Sequence, residues 1–152
     1  MVGETFTRGL RSVERQDAVA LVQLRADTEA GPAAAALSVL IEAAFPRRLS
    51  FTLAPGGDAS IVVPEAELDL GLSMLPNSIA RYVRRGLTAI SAAGVCMSAA
   101  ENKVRHICAS LAHAGIPLRA LSLCDLAATL TVDTADAGRA LEIICTAVPL
   151  TL

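Results

Sequence analysis

The hydrophobic positions of this chain change period repeatedly, and each change marks an element. "AVALVQL", residues 18–24, is a nearly continuous apolar run of strand length, the pattern of a central strand. It is followed by the polar stretch "RADTEAGP" with its Gly-Pro break. Leu37, Leu40, Ile41 and Ala44 then recur at spacings of three and four, which predicts a helix from Ala33 until Pro46 stops it. "LSFTL", 49–53, alternates as a half-buried strand, "PGGD" turns the chain, and "ASIVV" returns as the hairpin partner. Pro64 opens the next helix, with Leu68, Leu72 and Leu75 on one face and Pro76-Asn77 at its end. "IARYVRR", 79–85, reads as an edge strand whose Arg81, Arg84 and Arg85 are solvated.

The order then begins again. "LTAISAAGV" is an apolar strand and "CMSAAEN" the loop after it. The helix from Glu101 is expected to bury Val104, Ile107, Cys108, Leu111 and Ala112, with Gly115 capping its end. "PLRALSL" and "LAATLTV" pair across Cys124-Asp125. A last helix, with Asp133 or Thr134 near its N-cap, buries Ala137, Ala140, Leu141 and Ile144. This second round lacks a clear sixth element. Residues 5–12, "TFTRGLRS", read as a short strand set off by a turn at Glu14, Arg15 and Asp17; they have no place in the first round and so complete the second sheet. The expected fold class is therefore α+β, two ferredoxin-like βαββαβ units in tandem: 18–86, and 5–12 plus 87–152. Each sheet buries one face under two helices, and its free face or edge is of the kind that a neighbouring domain or subunit covers.

Composition narrows the function. The 152 residues are 53% hydrophobic and 18% charged, which excludes a disordered chain and suits one domain or two small ones. Aromatics make up 3%, with no Trp, so the core must be aliphatic. A net charge of −2 provides no footprint for nucleic acid or a membrane surface. The apolar runs fall short of the ~20 residues of a membrane span, and the first residues lack the apolar run of a signal peptide, so a cytoplasmic location is expected. Cys96, Cys108, Cys124 and Cys145 form no CxxC pair and read as small buried hydrophobes in a reducing compartment. His106 and His113 are seven apart on one helix, whereas helical metal ligands stand three or four apart; Cys108 lies on a different face from His106. Neither a metal nor a cofactor is expected.

The order of these segments resembles the paired ACT domains in the C-terminal regulatory half of aspartate kinase. "GVCMSAAENKVRHICASL" looks like that family's glycine-x-glycine-methionine loop and following helix, with Gly94, Met97 and Leu111 at the family's spacing. "AGIPLRALSLCDLAATLTVDTADAGRAL" is similar to its next strand pair, with Ser122-Leu123-Cys124-Asp125 where a Ser-Thr-Ser-Glu turn usually stands. "ALVQLRADTEAGPAAAALSVL" and "DASIVVPEAELDLGLSML" resemble the corresponding parts of the first ACT unit. The resemblance implies that the strand preceding the first unit joins the second sheet. It also implies an effector site, with Asp27, Thr28, Glu29, Gly31 and Ala33 in the first loop, Met97, Ser98, Glu101 and Asn102 in the second, and Ser122 and Asp125 at the turn. The implied ligand is an amino acid such as lysine or threonine, its carboxylate on helix N-terminal amides and its ammonium on Asp27 or Glu29. The implied partners are a second copy of the chain and a catalytic aspartate-kinase-like subunit.

The departures are specific. The second loop has Glu101-Asn102 for Pro-Gly, the first has "AGP" with one extra residue, and Thr52-Leu53 replaces a Gln-Asn pair that commonly holds the effector. No glycine-rich loop followed by Lys occurs, so phosphoryl transfer by this chain is not expected and no catalytic residue is assigned. Three readings follow: a small regulatory subunit; an ACT pair that has lost its effector and scaffolds a partner; or a repurposed cavity that binds or converts a biosynthetic intermediate. The last would draw on Arg25, Asp27, Cys96, His106, His113, Ser122 and Asp125. Each residue also has a plainer role. Asp27 can cap a helix, Met97 can fill core, and Glu101 suits a first helical turn on dipole grounds.

Overall fold

The computed structural model describes residues 10–25, 32–53, 58–77, 79–94, 101–123 and 127–147. The elements are β1 (Leu10–Arg25), α1 (Pro32–Ala44), β2 (Ser50–Leu53), β3 (Asp58–Pro64), α2 (Leu68–Ser73), β4 (Ala80–Gly94), α3 (Glu101–His113), β5 (Leu118–Leu123), β6 (Ala127–Asp133) and α4 (Ala137–Ala147). The strands form an antiparallel sheet in the order β2-β3-β1-β4-β6-β5, and the fold class is α+β. By compactness the chain divides into Ala18–Leu87 and a unit that joins Met1–Asp17 to Thr88–Leu152.

Two pairs of expected strands are each one long strand. Residues 14–17 make no turn: β1 runs unbroken for 16 residues, and its charged stretch, with Arg15 Nε 2.9 Å from Asp17 Oδ1, is extended and exposed. Hydrophobic periodicity fails there because solvent reaches the side chains of residues 14–17. "IARYVRR" and "LTAISAAGV" likewise fuse into β4, which is not an edge but lies between β1 and β6. Exposed arginines report a wet face, whereas an edge is a matter of unpaired backbone groups. At the unit boundary each long strand has a left-handed residue, Ala18 (φ 55°) in β1 and Gly86 (φ 74°) in β4.

In the 18–87 unit, Ala20, Val22 and Leu24 of β1 and Ile61 and Val63 of β3 pack under Leu37 and Ile41 of α1 and Leu68 of α2. The helix expected from Pro64 begins as a 3-10 turn, Glu65–Glu67, and its α-helical part has only six residues. Its end tightens into i→i+3 bonds from the Met74 and Leu75 amides before Pro76. Phe45, fully buried, lies against Gly71, where an added Cβ would overlap the ring. The other unit packs Ile90 and Ala92 of β4 and Leu130 and Val132 of β6 under Val104, Ile107 and Leu111 of α3 and Ala137, Ala140 and Ile144 of α4.

Gly115 (φ 76°) ends α3 as expected, with Ile116 N–H donating to Leu111 C=O at 3.0 Å. Ala112, expected in the core, is exposed, since the buried stripe runs 104-107-111. Asp133 does not cap the last helix with its side chain; it accepts both Arg119 nitrogens at 3.1 and 2.9 Å, because the hairpin brings them together. Thr88, buried on β4, donates to Asp17 at 2.7 Å and accepts from the Thr134 hydroxyl at 3.0 Å. Cys108 and Cys145 are free and half-buried; burial pushes the Cys108 thiol above its usual range. No helix among the described residues is long and apolar enough to cross a membrane.

Candidate ligand-binding sites

The register of β1 against β3 sets Arg25 directly opposite Asp58 and Gln23 opposite Ser60. Leu24 and Ala59, between them, point into the core, so the polar residues share the outer face. Arg25 grips both carboxylate oxygens of Asp58, Nε at 2.8 Å and Nη2 at 3.0 Å, the two-pronged geometry of a charge-assisted pair. These hydrogen bonds and the guanidinium charge hold the Asp58 carboxyl below the usual carboxylate range and push the Arg25 pKa upward. Gln23, Ser60, Arg81 and Tyr82 join the pair around a cavity of about 420 Å³. Arg81 is anchored through the carbonyls of Leu72 and Pro76, at 3.0 and 2.8 Å. Tyr82 is 56% exposed. The first loop leaves from Arg25 itself, so this cradle sits at its root.

Most residues expected from the sequence to hold an effector lie outside the described residues: Asp27, Thr28, Glu29, Gly31, Met97, Ser98 and Asp125. Cys96 lies there too. Ala33 falls in the first turn of α1, and Glu101 and Asn102 open α3. Ser122, half-buried on β5, pairs with Thr129 of β6. Arg25, expected as a polar group of a repurposed cavity, is engaged with Asp58. Asp58 itself was hidden in the sequence as the last residue of "PGGD". Only strand register reveals it, although opposite charges at the two ends of paired strands were there to be matched.

His106 and His113 come together in a second cavity, about 680 Å³, between α3 and α4. Ser110 stands between them on α3, and Glu142, Ile143 and Thr146 of α4 supply the other wall. Among the described residues no group of three His, Cys, Asp or Glu side chains is placed to hold a metal ion. The two sites are a charged, hydrogen-bonding cradle, and a groove combining imidazole, hydroxyl and carboxylate with aliphatic walls.

No protein-family model matches the chain, and no curated protein matches it by sequence. Solved structures do. The regulatory subunit of aspartate kinase from Thermus flavus superposes with a TM-score of 0.78 at 14% identity, over 92% of this chain and 99% of that one. The structure of aspartokinase alpha and beta subunits matches with a TM-score of 0.77 at 16% identity, over 91% and 97%. Aspartokinase III of E. coli in complex with lysine and aspartate matches with a TM-score of 0.64 at 14% identity, over 92% of this chain and 33% of that one. The chain has the fold of the regulatory subunits and regulatory domains of aspartate kinases.

Proposed function

We propose that this chain is an amino-acid-sensing regulatory protein that acts on a catalytic partner. In this reading it is built from two ferredoxin-like βαββαβ units, with the N-terminal part of β1 serving as the last strand of the second. The strand order supports the reading: β2-β3-β1-β4 and β5-β6-β4-β1 are the same order met twice. The observation that carries the function is the match spanning 92% of this chain and 99% of a regulatory subunit. A related aspartokinase binds lysine and aspartate, and another is made of alpha and beta subunits.

The effector would sit at the first loop, its carboxylate toward the amides that open α1 and its ammonium toward Asp27. The Arg25–Asp58 pair would fix the loop's departure point. A second copy of the chain would cover the apolar exterior around Val39, Leu70 and Met74, which are 67%, 71% and 52% exposed.

A thermal-shift screen over the amino acids, with native mass spectrometry on the same sample, tests the reading. A ligand at a hundred times its dissociation constant adds about 2.7 kcal/mol of stability. Asp27→Ala is expected to weaken that ligand by about 1–3 kcal/mol, the range for a charged hydrogen bond. No stabilisation by any amino acid, together with a monomer in light scattering, would sink the reading. Catalysis of a metabolic step by the chain alone would replace it with the enzymatic one.

A further inference from the structure

The chain has two histidines, and both line the cavity between α3 and α4. His106, Ser110 and His113 recur at the i, i+4, i+7 spacing that keeps side chains on one stripe of a helix. Glu142 and Thr146, one turn apart, stand on the other wall. The groove they line is open to solvent, and its volume of about 680 Å³ has room for a small molecule.

The fold does not require these groups, as the other unit shows. The run of burial along α1 from Ala36 to Ala43 is the same, residue for residue, as that along α3 from His106 to His113. The run from Leu68 to Ser73 likewise equals that from Ala137 to Glu142. At the positions of His106, Ser110, His113 and Glu142 the 18–87 unit has Ala36, Leu40, Ala43 and Ser73. The same pattern of burial is thus reached with no titratable group at these four positions. What the α3–α4 face adds is chemistry beyond the needs of folding.

That chemistry selects a ligand. Residues seven apart on a helix are about 10.5 Å apart along its axis, too far to share a metal ion. Glu142, exposed to solvent, makes no hydrogen bond or ion pair among the described residues, and none of the described lining residues is a lysine or arginine, although Arg139 of α4 donates to the Ala114 carbonyl at 2.8 Å. An ionised carboxylate only accepts hydrogen bonds, so its complement is a cationic donor. Imidazole nitrogens and hydroxyls on the facing wall accept further N–H groups, while Ala109 and Ile143 provide aliphatic contact. We propose that the α3–α4 cavity binds a small organic ammonium compound with a short aliphatic body, its charge on Glu142 and its body against Ile143. The proposal does not depend on the effector reading.

Because both histidines line the cavity, every imidazole signal of an ¹H–¹⁵N spectrum comes from this site. The test titrates the folded chain with 1-pentylamine, and with 1-pentanol as its uncharged counterpart. Both imidazole signals are expected to shift saturably with the amine and far less with the alcohol. Glu142→Gln should weaken amine binding about tenfold or more, the loss of one charged hydrogen bond. Glu142→Ser, which installs the residue of the matching position on α2, should do the same without harm to folding. Signals that stay unmoved up to about 10 mM amine, ten times a millimolar dissociation constant, would overturn the proposal. So would an equal response to pentanol, or unchanged affinity in both Glu142 variants. Asp27→Ala should leave the amine shifts intact; their loss would place the amine at the first loop and also overturn the proposal.

Discussion

Ala36, Val39 and Ala43 line the outward side of α1, where α3 has His106, Ala109 and His113. The inward sides are alike: Leu37 and Ile41 on one helix, Ile107 and Leu111 on the other, all buried. β3 and β6 also share one alternation of buried and half-buried positions along seven residues each. Burial against a sheet dictates the inward pattern, so it repeats. The outward pattern is free of that demand and diverges. α1, whose one charged residue is Glu42, is apolar nearly all round, although Ala36, Val39 and Ala43 are exposed. α3 is amphipathic, as befits a helix facing water or a polar ligand.

The sharpest break of this comparison lies in the core, where the units fill similar space with different volumes. The 18–87 unit sets a large Phe45 against Gly71; the other has Ile116 and Ala140 in its core. Phe45→Ala should cost about 3–5 kcal/mol in urea unfolding, a cavity with nothing to collapse into it. Gly71→Ala should cost about 1–3 kcal/mol through overpacking. Adding Phe45→Ile to Gly71→Ala copies the other unit and should recover much of that loss. Strict additivity of the two changes would show that ring and helix are not coupled as the structure has them.

Thr131 sharpens the same comparison. It is fully buried on β6, and its hydroxyl has no partner among the described residues; the matching residue of β3 is Val62. Thr131→Val should therefore raise stability by about 1–3 kcal/mol, the cost of an unmet buried polar group. Val62→Thr should lower it similarly. A loss of stability in Thr131→Val would reveal a partner for the hydroxyl.

The left-handed residues in the long strands give smaller effects of opposite sign. A Cβ at Gly86 would touch nothing within 4 Å, so Gly86→Ala should cost only the conformational penalty, about 1–2 kcal/mol. Ala18 already bears that strain, and Ala18→Gly should gain about 0.5 kcal/mol once the greater freedom of the unfolded chain is subtracted. Equal and opposite changes would contradict this.

The smallest effects concern ion pairs. Arg119–Asp133 is 28% and 27% exposed, whereas Arg25–Asp58 is 72% and 46% exposed. Salt should weaken the second more, and Asp133→Ala should cost more than Asp58→Ala. The folded-state pKa values of Asp58 and Asp17 are depressed, so their stabilising contribution is present above the ordinary carboxylate pKa of 3.8. It is lost as pH falls through their lower folded values. A melting temperature that rises on acidification below pH 3.8 would contradict the sign.

Much of the secondary structure was legible without coordinates. Leu37, Ile41, Ile107 and Leu111 carry helical spacing because one side of each helix is dry, and Gly115 ends α3 because a left-handed residue must stand there. The hairpins β2-β3 and β5-β6 were legible from their alternation and from the turn residues between them. The candidate sites were less so. His106 and His113 were visible as a pair on one helix, but Glu142 was one of several exposed acidic residues, and nothing local distinguished it.

The sequence by itself determined which residues turn inward, since burying apolar surface leaves a periodic record in each element. Only the tertiary structure decided that residues 10–25 and 80–94 are each a single strand, because extension through a charged, exposed stretch is maintained by neighbouring strands and leaves no hydrophobic period to read. It also decided that Arg25 meets Asp58, 33 residues on, and that Glu142 shares a cavity with both histidines. Those meetings depend on strand register and helix packing, which join segments far apart in the chain, and pattern within a segment records only which way its own side chains face.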